Sequence, residues 1–252
     1  MNWVDLKKEW LLEEQYNFKG WDFSHLAGRW EEEELPWDYK RVVLDYLKPE
    51  HQLLDMGTGG GEFLLTLGHP FENTSVTEAW EANVNLCKNT LEPLGICVQQ
   101  VFEDTQLPFD ENSFDLIINR HEAYDVQEIK RLLKPDGIFI TQQVGGKNNE
   151  LLSKFIFGNF QTDYSDLCLR NEMNKFASHN FIPLFKHEYF PYLRFFDVAA
   201  IVYYAKIIEW EFPGFTVEKY YDKLCLLQKN LLIKGYLESF EHRFCIVVKN
   251  NK

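Results

Sequence analysis

The chain reads as an α/β protein whose mostly parallel sheet is covered by helices on both faces. Three observations lead there. Short apolar runs alternate with amphipathic stretches from about residue 50 to about residue 145. The first of these runs, Gln52–Met56, ends in four glycines, Gly57, Gly59, Gly60 and Gly61. A late apolar run, Phe244-Cys245-Ile246-Val247-Val248, follows a longer helical region. Strands that alternate with helices return through right-handed crossovers, and this puts helices on both faces of the sheet.

Taken in order, Trp3, Leu6, Trp10 and Leu11 recur at helical spacing, so residues 1–48 are expected to form a helical extension. Pro36 interrupts it within Leu35-Pro36-Trp37-Asp38-Tyr39, and a new helix is expected over Asp38–Leu47, before Pro49. Strands are expected at Gln52–Met56, Thr74–Glu78, Ile96–Phe102, Phe114–Asn119 and Ile138–Gln143. Helices are expected from Glu62, over Glu81–Leu91 and over Val126–Leu133. Asp125 and Glu128 have the spacing of a reciprocal cap, and Lys134-Pro135-Asp136-Gly137 ends that helix in a turn. Beyond Gly146, helices are expected at Asn149–Phe157, Asp166–Ser178, Asp197–Ile208 and Val217–Ile233. Strands are expected near Ile182–Phe190 and over His242–Lys249.

Composition narrows the function classes. Hydrophobic residues at 45% and charged residues at 26% are an ordinary globular balance. The net charge of -13, with no Lys/Arg run, argues against a nucleic-acid partner. The acidic run Glu31–Glu34 reads as a solvated face or loop. The five cysteines, 87, 97, 168, 225 and 245, are well separated and read as free thiols in a reducing compartment. Met1-Asn2-Trp3-Val4-Asp5 lacks the basic and apolar regions of a signal peptide, and no apolar stretch approaches the roughly 20 residues of a bilayer span. A cytoplasmic protein with no membrane partner is therefore expected. Nothing in the sequence fixes its oligomeric state.

The glycine cluster is the strongest local signal. In Leu53-Leu54-Asp55-Met56-Gly57-Thr58-Gly59-Gly60-Gly61-Glu62, the glycines permit a tight turn at the strand end and leave room beside it for a ligand. Glu62 stands where a phosphate-binding loop needs Lys, so that reading fails. The dinucleotide spacing also fails, because the sixth position is Glu62 from Gly57 and Leu64 from Gly59. Asp55 would repel a pyrophosphate but not a sulfonium ligand that carries an amino group.

The segment Asp55-x-Gly57-x-Gly59-x-Gly61 resembles the first motif of class I S-adenosylmethionine-dependent methyltransferases. Three further pieces extend the resemblance over roughly Gln52 to Gln143. Glu78 closes the second strand, where the family has an acid that binds both ribose hydroxyls. Glu103-Asp104-Thr105-Gln106-Leu107-Pro108-Phe109 with Ser113-Phe114-Asp115 is similar to the stretch whose acid meets the adenine amine, and Glu103 and Asp104 both fit that place. Arg131-Leu132-Leu133-Lys134-Pro135-Asp136-Gly137 resembles the family's Arg-x-Leu-Lys-Pro-Gly-Gly turn, with Asp136 replacing a glycine. Leu35–Tyr39, Arg120-His121-Glu122 and Thr141–Gly146 also resemble a bacterial methyltransferase group.

The resemblance implies a Rossmann-like class I methyltransferase fold. This has a mostly parallel seven-stranded sheet with helices on both faces, here joined by an N-terminal helical extension and a C-terminal helical cap insertion. It implies one methyltransferase domain over 1–252: extension 1–48, cofactor-binding half 49–146, and acceptor-side half 147–252. The implied cofactor is S-adenosyl-L-methionine. The implied cofactor-binding residues are Asp55, Gly57, Thr58, Gly59, Gly61, Glu78, Ala79, Trp80, Glu103, Asp104, Asn119 and Arg120. Trp80 is placed to stack on the base, against plain packing. In this fold the loop after the fourth strand, Asn119–Tyr124, faces the methyl group. His121 is its candidate general base, against a structural histidine. Arg120 and Glu122 read as an ion pair or as acceptor contacts. Trp37, Asp38 and Tyr39 read as a lid or a helix start, and Tyr192, Arg194, Phe195 and Phe196 as acceptor wall or core. One of Gln142 and Gln143 is expected to reach a ligand, since strand neighbours face opposite ways. A small-molecule acceptor is the leading expectation. The alternatives are an RNA or protein acceptor, or a regulatory protein that binds the cofactor without turnover.

Overall fold

Asn2 accepts the Val4 N–H, and helix α1 (Trp3–Glu14) starts there and buries Trp10. This is a computed structural model, and it describes residues 2–17 and 23–252; residues 18–22, part of the expected helical extension, lie outside them. The extension also holds strand β1 (Trp30–Glu32). Helix α2 (Tyr39–Leu44) is capped by Asp38, which accepts from the Lys40 N–H. The expected alternation follows: β2 (Leu53–Met56), α3 (Glu62–Leu65), β3 (Thr74–Glu78), α4 (Glu81–Thr90) and β4 (Cys97–Gln100). It continues with β5 (Phe114–Arg120), α5 (Val126–Leu132) and β6 (Leu133–Val144). The rest of the chain forms α6 (Glu150–Phe157), α7 (Leu169–Ser178), β7 (Phe181–Tyr189), β8 (Tyr192–Phe195) and α8 (Val198–Ile207). It ends with α9 (Tyr221–Lys234), β9 (Leu237–Phe240) and β10 (Arg243–Asn250).

These elements form two compact units that the chain enters more than once. The larger contains Pro36–Val144, Leu167–Tyr189 and Arg243–Lys252. Its seven-stranded sheet has the order β4-β3-β2-β5-β6-β10-β7. Strands β2 to β6 pair in parallel, and β10 runs antiparallel to both of its neighbours. Strand residues alternate between two buried layers. Leu53, Val76, Leu116, Ile118, Ile140 and Val247 join Tyr39 and Val43 on one face. Leu54, Met56, Ile117, Phe139, Ile246 and Val248 join Ile129 and Phe176 on the other. The near-continuous apolar runs of the sequence follow from burial on both faces. This is the Rossmann-like seven-stranded arrangement that the resemblance implies, and β2 sits where the strand order reverses, so the carboxyl edge beside it is the crevice.

The smaller unit contains Met1–Leu35, Gly145–Asp166 and Phe190–His242. It carries helices α1, α6, α8 and α9, and a three-stranded antiparallel sheet of order β1-β8-β9. Helix α8 is buried from Val198 to Ala205, which explains its all-round apolar sequence. Asp197 caps it by accepting the Ala200 N–H, and the Arg29 guanidinium grips the same carboxylate at 2.9 and 2.7 Å. The acidic run is more than a solvated face: Glu31 accepts the Tyr192 hydroxyl and Glu33 accepts the Tyr192 N–H. All five cysteines are free.

Candidate functional site

The site is built at the carboxyl ends of β2, β3 and β5. Beyond Met56 the chain must reverse direction at once, and Gly57 and Gly59 do so at φ of 66° and 63°, values a side chain disfavours. The Gly57 and Thr58 N–H groups donate to Thr77 O at 3.0 and 3.1 Å, which pins the turn to β3. A Cβ at Gly57 would lie 2.5 Å from Glu122 Cγ, whereas a Cβ at Gly59 would meet nothing within 4 Å. Open space therefore borders Gly59. Buried Glu78, at the end of β3, accepts from Gly59 N–H at 2.8 Å and from Ala79 and Trp80 N–H at 3.0 Å each. The buried Cys87 thiol donates to Gly59 O at 3.1 Å. The Trp80 ring stands 55% exposed at the start of α4, free to cover a ligand.

Asp55 lies beneath the turn and is buried, with Thr58 Oγ1 donating to it at 2.7 Å. Burial pushes its pKa up to about 7, against the Thr58 hydrogen bond and the positive charge of Arg120. The nearby Glu78 charge adds to the rise.

After β4 the chain follows the end of β3, since Val101 N–H donates to Glu78 O at 3.0 Å. Phe102 is 80% exposed and Glu103 is exposed. Asp104 is half-buried, and burial with the Asp125 charge raises its pKa. The following Leu107–Phe109 stretch is clamped from α5: Leu107 N–H donates to Glu128 at 2.7 Å, and Arg131 donates to Leu107 O and Phe109 O at 3.1 and 2.8 Å. Only half of the expected reciprocal cap forms here. Asp125 accepts the Glu128 N–H at 2.8 Å, but the Glu128 carboxylate turns to Leu107 and Arg131 instead of back to Asp125.

Strand β5 ends in the loop that holds the remaining predicted residues. Buried Asn119 accepts from Thr141 Oγ1 at 2.9 Å and from Gln143 Nε2 at 2.7 Å, and its carbonyl accepts the Tyr39 hydroxyl at 2.9 Å. Arg120 lies 4.6 Å over the Phe63 ring. The Glu122 side chain packs against Gly57, and burial raises its pKa with help from Asp104 and Glu78. Arg120 and Glu122 thus point to separate partners and not to each other. His121 adopts φ of 63°, rare for a residue with a side chain, and donates its N–H to Gln142 O at 2.9 Å. Its ring nitrogen Nε2 meets Gln142 Nε2 at 3.3 Å, and Gln142 Oε1 accepts the Trp37 indole N–H at 2.8 Å. Desolvation of the ring, then the charges of Arg243 and Arg120, pushes the His121 pKa down to about 3. The residue as a whole is exposed, and the lowered pKa leaves its imidazole neutral at pH 7.

Mutual influence of the charges therefore links Asp55, Glu78, Asp104, Arg120 and Glu122. Glu103 is exposed. Tyr39, Trp37, Gln142 and Gln143 bind this loop to β6 and α2; the sequence showed them only as a candidate lid and a glutamine pair. Tyr192, Arg194 and Phe195 are used within the smaller unit: Arg194 pairs with Glu238 at 2.8 Å and lies 3.9 Å over the Tyr192 ring, and Phe195 is buried in its core. Phe196 is 41% exposed there. Among the described residues no group of three or more His, Cys, Asp or Glu side chains is arranged to hold a metal, and no helix is long and apolar enough to cross a membrane.

A mostly parallel sheet with a glycine turn at its switch point and an acid closing the next strand defines a Rossmann-like fold. Residues 54–141 match the methyltransferase domain family, which supports the resemblance to class I S-adenosylmethionine-dependent methyltransferases. It is similar to the uncharacterised methyltransferase YcgJ of Bacillus subtilis, at 26% identity over 118 residues, covering 43% of this chain and 47% of that protein. The solved YcgJ structure superposes with a TM-score of 0.56 at 17% identity, over 85% of this chain and 98% of that one. The human mitochondrial arginine-hydroxylase NDUFAF5 is 30% identical over 102 residues, covering 37% of this chain and 28% of that protein. The [4+2]-cyclase SpnF shares the fold, with a TM-score of 0.51 at 14% identity, over 84% of this chain and 80% of that one. The chain thus spans less than half the length of these curated relatives.

Proposed function

We propose that the protein binds S-adenosylmethionine at the Gly57–Gly61 turn and Glu78, and transfers its methyl group to a small-molecule acceptor beside the loop after β5. The observation that carries this reading is the Glu78 carboxylate, buried and held by three backbone N–H groups next to the open space at Gly59. Two accepting oxygens suit the two hydroxyls of a ribose, and a residue without a side chain lets the ligand approach closely. Asp55, with Thr58 fixed to it, supplies negative charge under the turn for a cationic ligand as pH rises past about 7. Ala79 and Trp80 would border the base, with Glu103 and Asp104 offering an acceptor to its amine. Asn119 and Arg120 would complete the cofactor's surroundings from β5.

When bound, the cofactor supplies a methyl group already activated on a sulfonium. The protein's own task is then orientation and exclusion of water. The Asn119–Thr141–Gln143 network fixes the loop at the acceptor side, and Tyr39 holds the Asn119 carbonyl from below. A small acceptor fits the net charge of -13, which opposes a polyanion.

The test is transfer of label from methyl-tritiated S-adenosylmethionine to three separate pools: small metabolites, RNA and protein. Label in the small-metabolite pool is expected, and label confined to RNA or protein would overturn the choice of acceptor. A second reading, binding without methyl transfer, is favoured by one observation: relatives named as a hydroxylase and a cyclase share this domain or fold. Tight binding with no label in any pool would establish it.

A further inference from the structure

Trp37, Gln142 and His121 form a short relay on the larger unit, and its chemistry fixes a proton. The Trp37 indole nitrogen only donates, so the Gln142 atom it meets at 2.8 Å must be the carbonyl oxygen. That settles which way the Gln142 amide faces. Its NH2 end then points at His121 Nε2, 3.3 Å away. An NH2 group also only donates, so Nε2 must offer a lone pair. The single ring proton of neutral His121 is left on Nδ1.

We propose that the Trp37–Gln142 pair is a positioning device that holds His121 as the neutral Nδ1–H tautomer, so the loop presents a hydrogen-bond donor and not a general base. Gln142 is buried at 7% exposure in β6 beside Thr141, and the Trp37 indole N–H holds its amide in this orientation. The His121 backbone is tied to the same residue through its N–H and Gln142 O at 2.9 Å, which holds the ring in register with the amide. The charged groups around the ring agree. Arg120 on β5 and Arg243 on β10 both oppose an imidazolium, while Glu122, the adjacent acid, packs towards Gly57. The His187 ring on β7 lies tilted against the Trp37 indole, with the ring centroids 5.1 Å apart.

This has a consequence for the acceptor, which rests on the methyl-transfer reading above. With its lone pair engaged, His121 takes no proton from a nucleophile. The fitting acceptors are those whose reacting atom attacks without first losing a proton, such as a thiolate, a carboxylate, or an amine free base whose extra proton passes to water after transfer. The Nδ1–H is suited to an oxygen or other lone pair on such a molecule.

The tautomer is read directly by long-range proton–nitrogen correlation spectra of 15N-histidine-labelled protein without cofactor, from about pH 5 to pH 8. His121→Asn removes one set of signals and so assigns it among the 7 histidines. In the wild-type protein, His121 should show a protonated Nδ1 and an unprotonated Nε2 across that range. Gln142→Glu replaces the donating NH2 with an accepting oxygen, so the proton should move to Nε2 and the His121 titration should shift up in pH. Trp37→Phe frees the amide to turn, so the Nδ1–H population should fall. A wild-type ring protonated on Nε2, or one that titrates near its ordinary value, would overturn the proposal. The wild-type spectrum decides the tautomer even if a variant fails to fold. Failure to bind S-adenosylmethionine in a separate calorimetric titration would sink the methyl-transfer reading alone.

Discussion

Replacing Asp55 by Asn should make the folded protein more stable at pH 8 and less sensitive to pH. Burial raises the Asp55 pKa from 3.8 to about 7, a rise of roughly three units or about 4 kcal/mol. The sign follows from linkage. The folded state holds this proton more tightly than the unfolded state, so the group imposes no penalty below its unfolded pKa of 3.8 and a growing one as pH climbs towards 7. Above about pH 7 the full penalty applies, offset in part by Thr58 and Arg120. Water entry and local relaxation reduce such costs, so a gain of about 1–3 kcal/mol at pH 8 is expected for the Asn variant. The amide oxygen can still accept the Thr58 hydroxyl. Urea unfolding of both proteins at pH 5 and pH 8 measures the effect, and the difference between them cancels the other carboxylates. Binding of a cationic cofactor should weaken in the same variant, most clearly at pH 8. Equal pH slopes for the two proteins, or a variant less stable than wild type at pH 8, would refute the reasoning.

The other perturbations test the frame around the site. Gly57→Ala adds a Cβ 2.5 Å from Glu122 Cγ at a φ of 66°, so it should destabilise by about 1–3 kcal/mol in urea unfolding. Gly59→Ala meets no atom within 4 Å and should cost only about 1 kcal/mol, from φ alone. Tyr39→Phe leaves the Asn119 carbonyl without its buried donor and should cost about 1–3 kcal/mol by the same measurement. Burial pushes the thiols of Cys87 and Cys245 up to about 11 and about 12, so iodoacetamide at pH 8 should label exposed Cys97 and spare those two until the protein unfolds, as peptide mass mapping would show. Arg131→Ala removes the clamp on Leu107 and Phe109, and amide exchange at Leu107 should quicken.

The larger sheet was legible because its signals are local. Strands β2 and β5 are short apolar runs, and the glycine turn sits next to the strand it ends; the expected turn Lys134–Gly137 lies instead at the start of the 12-residue β6. Asp125, Asp197 and the glycines at 57, 59 and 61 were readable from spacing alone. The small sheet was not legible. Strands β1, β8 and β9 have 3, 4 and 4 residues, and Trp30 pairs with Phe195 far along the chain. Such strands show no period, and their pairing is set by contacts the sequence does not order. Glu128 was misread for a related reason: its carboxylate answers to Leu107, which folding brings beside it. The glycine turn and the acid at Glu78 were readable early, because each closes a strand at a spacing the sequence shows directly. The Trp37–Gln142–His121 relay was missed because its members lie on three separate elements, and only the side-chain geometry joins them.

The most direct test of cofactor binding at the glycine turn is isothermal titration calorimetry of the folded protein with S-adenosylmethionine. Saturable binding with one site is predicted for wild type, with heat abolished in Gly59→Arg, whose side chain would occupy the open space beside the turn. A folded wild-type protein that gives no binding heat, or a Gly59→Arg variant that binds as tightly as wild type, would contradict it.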